Sequence, residues 1–225
     1  LGNPDDAAVI EIPSGALTLR ARGDVVISFD GARPELLRDG QSWETSDAGR
    51  AHVVAVRGGV EVAERLGSRS TLLVARWGGF LGRSLRRGDV VAVGSEGDAA
   101  VVEPSSTELI EDDELELEID PGPHLDRFPS DAFERLLEGE FFVSRSSDRT
   151  GQRLDGARVP RQGIDSALPV PMIRGAIQIA TDGVPIVLGP DHPVTGGYPV
   201  LAVLRPRSWG QLARRRPGAR VRFRV

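Results

Sequence analysis

Two residue types are absent from this 225-residue chain, and each absence closes off a class of chemistry. Without cysteine there is no disulfide, zinc–thiolate site, iron–sulfur cluster or thiol nucleophile, and a reducing compartment is the weak expectation. All 28 basic residues are arginine. The missing lysine removes a Schiff base, a Walker-type phosphate lysine and a biotin attachment point, so any biotin must arrive on another chain. No apolar run approaches the ~20 residues that cross a bilayer, and no signal-peptide pattern is present. A soluble, cytoplasmic protein with no membrane partner is expected. The net charge is −5 and acids interleave with arginines, so no basic face forms and nucleic acid is not an expected partner. The basic triplet Arg214-Arg215-Arg216 suits the C-terminal end of a helix.

Long helical patterns are also scarce. Short β-rich runs, separated by Gly, Asp and Pro, recur at Ala8–Ile12, Leu17–Ala21, Val25–Phe29, His52–Val56, Leu72–Ala75, Val90–Val93 and Ala99–Val102. They continue at Leu115–Ile119, Phe141–Ser144, Ile177–Ala180, Pro185–Leu188, Val200–Leu204 and Val221–Val225. This spacing predicts a mainly β protein of barrels or sandwiches. Two helices are expected. One runs over 130–137, with Asp131 and Glu134 spaced as a capping box; the other begins at Ser208, with Trp209 and Leu212 on one face. The acidic run 111–120 alternates charge and aliphatic residue from Glu114 onward, which reads as a strand with one solvated face. A boundary near 103–113 divides the chain into an N-terminal β lobe, 1–105, and a C-terminal lobe, 106–225. No internal repeat is legible.

Chemistry-bearing residues cluster in a few stretches. His52, His124 and His192 share no ligand spacing, so no metal site is expected. "GSRST" (67–71) flanks Arg69 with hydroxyls, which suits an anion or a self-satisfied loop. "GGFLGRSLRRGD" (78–89) reads as tight turns around apolar plugs. In "SSDRTGQRLDG" (146–156), Asp148 and Arg149 are either an internal ion pair or a carboxylate beside an anion clamp. The run "RGAIQIATDGVPIVLGPDHPVTGGYP" (174–199) is a hairpin turning at Thr181-Asp182-Gly183, with Gln178 in mid-strand, followed by a structured loop. That loop holds Asp191 and His192 as a possible proton-transfer pair, hydroxyls on Thr195 and Tyr198, and permissive backbone at Gly196 and Gly197. From the residues alone, a Pro-bounded turn whose Tyr198 plugs a core stands beside a functional loop.

These motifs, with "GPHLDRF" (122–128), "QLARRRPGARVRF" (211–223) and the opening "LGNPDDAAVIEI" (1–12), occur in one family's order along nearly the whole chain. The chain closely resembles the subunit-2 family of allophanate hydrolase-like proteins. This family includes the C-type subunit of 5-oxoprolinase, biotin-dependent carboxyltransferase proteins and an antagonist of a sporulation-kinase inhibitor. The resemblance implies a cyclophilin-like β-barrel architecture, a subunit-1 partner like the B-type subunit of 5-oxoprolinase, and a third chain like its A-type subunit. It also implies opening of the 5-oxoproline lactam to glutamate at the expense of ATP with Mg. Carboxyl transfer as in urea carboxylase, with biotin on another chain, and a non-catalytic regulatory role are the alternatives. Family members carry a further Gly-rich segment ahead of the position of Leu1, the stretch between Asp39 and Gly58 is shorter here, and Ala180 stands where many have proline. On this resemblance Arg149 and Arg69 are expected as anion clamps and Asp148 and Asp191 as base or orienter. Gln178 is expected on the substrate amide, with Thr195, Gly196, Gly197 and Tyr198 as the closing loop.

Overall fold

Alternation along 115–119 places Leu115, Leu117 and Ile119 on one face and Glu116 and Glu118 on the other, which is what a half-buried strand requires. In the computed structural model, which describes residues 1–45, 50–94, 114–162 and 168–225, this strand is the seam of a closed barrel. The chain divides into two compact units, Leu1–Leu109 and Ile110–Val225. The lobe boundary near 103–113 and the expected strand Ala99–Val102 lie outside the described residues, as do residues 46–49 of the shortened stretch.

The first unit contains β1 (Ile10–Ser14), β2 (Leu17–Arg20), β3 (Val25–Phe29), β4 (Glu35–Leu37), β5 (Ser42–Thr45), β6 (Arg50–Val56), β7 (Thr71–Leu72) and β8 (Trp77–Gly78). An antiparallel sheet runs β1-β6-β3-β4, and β2 with β5 and β7 with β8 form two-stranded pairs. Ile12, Ala21, Ile27, Leu37, Val54 and Val56 make its core. The expected strand Leu72–Ala75 is mostly a turn. Leu73 and Val74 face solvent and Arg76 adopts a positive φ of 50°, so β-propensity there yields to the hairpin between β7 and β8. Val90–Val93 likewise forms only a single bridge, from Val93 to Val60.

The second unit contains β9 (Glu114–Pro121), α1 (Ala132–Glu138), β10 (Phe141–Val143), β11 (Gly151–Gly156), β12 (Val170–Pro171), β13 (Ala176–Ile179), β14 (Pro185–Leu188), β15 (Thr195–Gly196), β16 (Val200–Leu204), α2 (Pro206–Ala213) and β17 (Arg220–Arg224). Seven strands close in the order β10-β11-β14-β13-β16-β9-β17. Every neighbouring pair is antiparallel except β9 with β17. The architecture is mainly β, with two short α-helices and one 3-10 turn at Leu125–Arg127 among the described residues. Among the described residues no helix is long and apolar enough to cross a membrane.

The capping box of α1 does not form. Asp131 at the N-cap of α1 has α-type dihedrals and directs its carboxylate to Arg135 Nε at 2.7 Å, one turn on. Helix α2 starts two residues earlier than the serine suggests, because Pro206 suits the first turn. Ser208 is therefore buried inside the helix, where its hydroxyl accepts the Glu118 N–H at 3.3 Å.

Inside the barrel, Leu117, Ile119, Phe141, Leu154, Ile177, Ile179, Leu201 and Val221 are all fully buried. Each large aliphatic side chain so placed contributes about 2 kcal/mol of burial free energy. Outside, the register sets Arg222 beside Glu116 and Arg224 beside Glu118. Glu118, only 13% exposed in its side chain, collects Arg205 (3.3 Å), Arg224 (2.9 Å) and Arg207. Removing that carboxylate leaves three guanidiniums facing one another. Glu118→Gln is therefore expected to cost about 2 kcal/mol, whereas Glu116→Gln, 59% exposed, stays within about 0.5 kcal/mol of the parent. Urea-denaturation midpoints of the two variants check this.

Candidate functional site

Strand β13 is buried at all four positions, a pattern that requires cover on both faces. Ile177 and Ile179 face the barrel core. On the other face Ala176 joins Met172, Leu188 and Val200 in a second small cluster. The cover over that face comes from the segment containing β12 and from residues 189–199. Those residues leave β14 at Leu188 and re-enter the barrel at Val200 in β16, whose partners along β13 are Ala176 with Val203 and Gln178 with Val200. The loop therefore runs as a strap from one end of the barrel to the other.

At its first end the strap is stapled to the 146–151 loop. Gly189 N–H donates to the Thr150 carbonyl at 2.9 Å and Asp191 N–H to the Arg149 carbonyl at 3.1 Å. A side chain at 189 would fall 2.2 Å from the Arg149 oxygen, which explains the glycine by close approach. The side chains then pair two-pronged: Arg149 Nε and Nη2 donate to Asp191 Oδ2 at 2.7 Å and Oδ1 at 3.1 Å. Asp148 shapes the turn before it, with Oδ1 accepting the N–H groups of Thr150 at 2.8 Å and Gly151 at 3.2 Å. Arg174 was not singled out by sequence reasoning, although it opens the 174–199 motif. Its guanidinium lies over the Trp209 ring at 4.5 Å, and burial, then the nearby charge of Arg149, lowers its pKa from the usual guanidinium value. It stays protonated at neutral pH, so two positive charges and the carboxylates of Asp148 and Asp191 meet at this end.

At the other end, Gln178 is buried beneath the strap, and its Nε2 donates to the Tyr198 carbonyl at 3.0 Å and lies 3.4 Å from Met172 Sδ. Gly196 and Gly197 have ordinary negative-φ backbones, so their use is not left-handed turning. A Cβ on Gly196 would meet Gln178 Nε2 at 2.9 Å, so that glycine is a clearance over the glutamine. Thr195 is exposed and pairs with Pro171, Gly197 is exposed, and Tyr198 is 38% exposed with the Arg161 guanidinium 5.6 Å from its ring centre. Tyr198 is thus not a core plug. The proton-transfer pair read from the sequence is not formed: Asp191 turns to Arg149, and His192 Nδ1 sits 2.9 Å from the Pro193 carbonyl.

The structure thus brings Asp148, Arg149 and Asp191 to one end of the strap and Gln178, Gly196 and Tyr198 to the other. The ends are separated along β13 by two residue steps, from Ala176 beside Leu188 to Gln178 opposite Val200, roughly 7 Å at ~3.3 Å each. Arg69 belongs to the first unit, where Nη1 donates to the Val62 carbonyl at 2.9 Å and Nη2 lies 3.5 Å from both Asp6 and Glu64.

The "GPHLDRF" motif secures the far end. His124 Nδ1 accepts the Val200 N–H at 3.0 Å, a bond that needs the neutral ring, and burial, then Arg127, lowers the His124 pKa. With the folded pKa below the unfolded one, the unfolded chain takes up the proton first. Stability is then fully present above about pH 6.5 and is lost as pH falls from there towards the lower folded pKa. Urea midpoints measured from about pH 7.5 to about 5.5 are expected to fall in the parent, and to fall less in His124→Asn, which keeps an acceptor without titrating.

The comparisons with known proteins match this geometry to a family along the whole chain. The chain is 29% identical to the C-type subunit of 5-oxoprolinase from Escherichia coli over 99% of its own length and 76% of that protein. It is 28% identical to urea amidolyase of Lachancea kluyveri over 76% of this chain, but spans only 10% of that longer protein. Among solved structures it superposes on urea carboxylase of Kluyveromyces lactis with a TM-score of 0.86 and 24% identity, covering 99% of this chain and 23% of that one. The carboxyltransferase domain, subdomain A and B, matches residues 1–225, and the chain belongs to that family.

Proposed function

We propose that this chain is the C-type component of an ATP-dependent lactam hydrolase that opens 5-oxoproline to glutamate. It would act with a subunit-1 partner of the B type and a third chain of the A type. The observation that carries the reading is the 29% identity to the C-type subunit of 5-oxoprolinase across 99% of the chain. The strap supplies the geometry for it.

A lactam carbonyl is a poor electrophile at neutral pH, and its hydrolysis needs the carbonyl activated at oxygen so that water can attack the carbon and the ring C–N bond can break, the nitrogen leaving as an amine. Bound Mg-ATP would supply that activation. Among the described residues no group of three His, Asp or Glu side chains comes together to hold a metal ion, and Arg149 is engaged by Asp191. That donor set suits one anionic group better than a metal–triphosphate, so the nucleotide is assigned to the partner chains or to a surface shared with them. In this reading Arg149 and Arg174 hold the 5-oxoproline carboxylate, and Asp191 fixes the plane of the Arg149 guanidinium. Asp148, whose Oδ1 is committed to its turn, presents Oδ2 as the base towards water. Gln178 positions the strap rather than touching the substrate amide. Thr195, Gly196, Gly197 and Tyr198 form the part of the strap that a partner chain closes upon. Arg69 serves as an anion clamp of the first unit.

Carboxyl transfer is the second reading, favoured by the likeness to urea amidolyase and urea carboxylase. There the same guanidiniums would hold a carboxyl group delivered by biotin on another chain.

The Arg149–Asp191 pair is 43% and 52% exposed, and a pair so placed contributes about 0–1 kcal/mol to stability. Asp191→Asn is therefore expected to leave folding intact while lowering kcat/KM for ATP-dependent glutamate release by about 10- to 100-fold in the reconstituted complex. Parallel assays with and without a biotinylated carrier separate the two readings. Turnover in no combination of chains would sink both and leave a regulatory role. Tyr198→Phe in the same assay reports whether the hydroxyl or only the ring is used.

A further inference from the structure

A second feature lies in the first unit and does not depend on the reading above. A cavity of about 390 Å³ opens between β3, the end of β6 and residues 90–94, lined by Arg22, Asp24, Val25, Val26, Arg57 and Val90–Gly94. That volume lies in the range that holds small organic ligands. Its walls are fixed by backbone bonds: Arg57 N–H to the Val26 carbonyl at 2.8 Å, Glu61 N–H to Ala92 at 2.9 Å and Gly94 N–H to Gly59 at 3.0 Å. A Cβ at Gly94 would fall 2.4 Å from the Gly58 carbonyl, so the glycine lets the 90–94 segment close against the end of β6.

The charges in this cavity do not balance. Its one acid, Asp24, is committed elsewhere: Arg38 Nη1 donates to it at 2.7 Å and the Asp39 N–H at 3.0 Å, and Arg38 above all lowers its pKa from the usual carboxylate value. Among the described residues neither Arg22 nor Arg57 has a carboxylate partner. Arg57 Nε is buried with no hydrogen-bond acceptor. A buried cationic donor left unsatisfied is costly, and it calls for an acceptor from water, an ion or a ligand. The remaining lining is Val25, Val26, Val90–Val93 and Gly94, of which Val25 and Val93 also pack against the core of the unit.

We infer that this cavity binds a small aliphatic carboxylate, with its carboxylate on Arg57 and Arg22 and its hydrocarbon body against Val26, Val90 and Val91. The guanidinium fork matches a planar carboxylate in two-pronged geometry. The valine walls favour a ligand with an apolar body over inorganic phosphate, which would leave them facing water or a charge.

Methyl-labelled full-length chain titrated with sodium isobutyrate, and followed by NMR of its valine methyls, tests this. Isobutyrate is expected to shift the Val26, Val90 and Val91 methyls saturably in the millimolar range, while neutral isobutyramide does not. Arg57→Gln is expected to weaken binding by about tenfold or more, and Arg33→Gln to match the parent. Circular dichroism melts confirm that each variant is folded. Should Arg57→Gln not fold, Arg22→Gln, altered at the exposed rim, carries the test with the same expectation. The inference is overturned by no saturable shift with isobutyrate, by equal binding of isobutyramide, by equal binding of phosphate, or by folded arginine variants that bind as the parent does.

Discussion

The second unit depends on the pairing of β9 with β17, the one parallel contact in a barrel otherwise built from antiparallel neighbours. Its inward residues, Leu115, Leu117 and Ile119 from one strand and Val221 and Phe223 from the other, complete the core. Its outward residues answer one another in charge, with Glu118 gathering guanidiniums from the start of α2 and from β17. A parallel pair lacks a hairpin to fix its register, so side chains must specify it. Here the alternation of aliphatic and charged residues does so twice, because a slip by one position would bury glutamate and arginine and expose the aliphatic rows. The barrel ends, and every loop that departs from them, take their positions from that closure.

Carried on the closed barrel, the strap over β13 gives function a place to act. Covering the second face of β13 turns an ordinary strand into one buried on both sides, at the cost of a buried amide. Gln178 meets that cost by donating to the Tyr198 carbonyl, and Gly196 leaves the room for it to do so. The glutamine is therefore the pin beneath the strap, and the exposed groups lie at the strap's ends. Asp191 and Tyr198 share a short stretch of sequence yet belong to opposite ends of a strand. Proximity in the chain was a poor guide to proximity in space, because the intervening residues carry the strap from one end of β13 to the other.

Much of the architecture was legible because strand periodicity is a local signal. The alternation from Leu115 to Ile119, the turn at Thr181-Asp182-Gly183 and the strands around it are all present as the residues predict. Strand β11 was read only as a motif, since "GQRLDG" is polar outside Leu154, and its strand character comes from pairing with β10 and β14. Both helix starts differ from the sequence expectation for a shared reason. Their side chains found better partners: Asp131 took Arg135, and Ser208 took the Glu118 backbone. Gly196 was legible as a glycine that mattered, but the reason, a glutamine amide 2.9 Å from its missing Cβ, is a tertiary fact. Arg174 and the Arg22–Arg57 cavity carried no sequence signal, because among so many arginines only three dimensions show which ones lack a carboxylate.

The closing seam also has a schedule. Arg224 and Glu118 are 106 positions apart, and a ribosome adds about 5–20 residues per second. From the moment β9 is made, its aliphatic row has no permanent partner on that side for roughly 5 to 20 seconds. Throughout that wait the glutamates on its other face help to discourage a neighbouring nascent chain from pairing with it. The acidic alternation that later fixes register thus serves first as protection for an edge that cannot yet close.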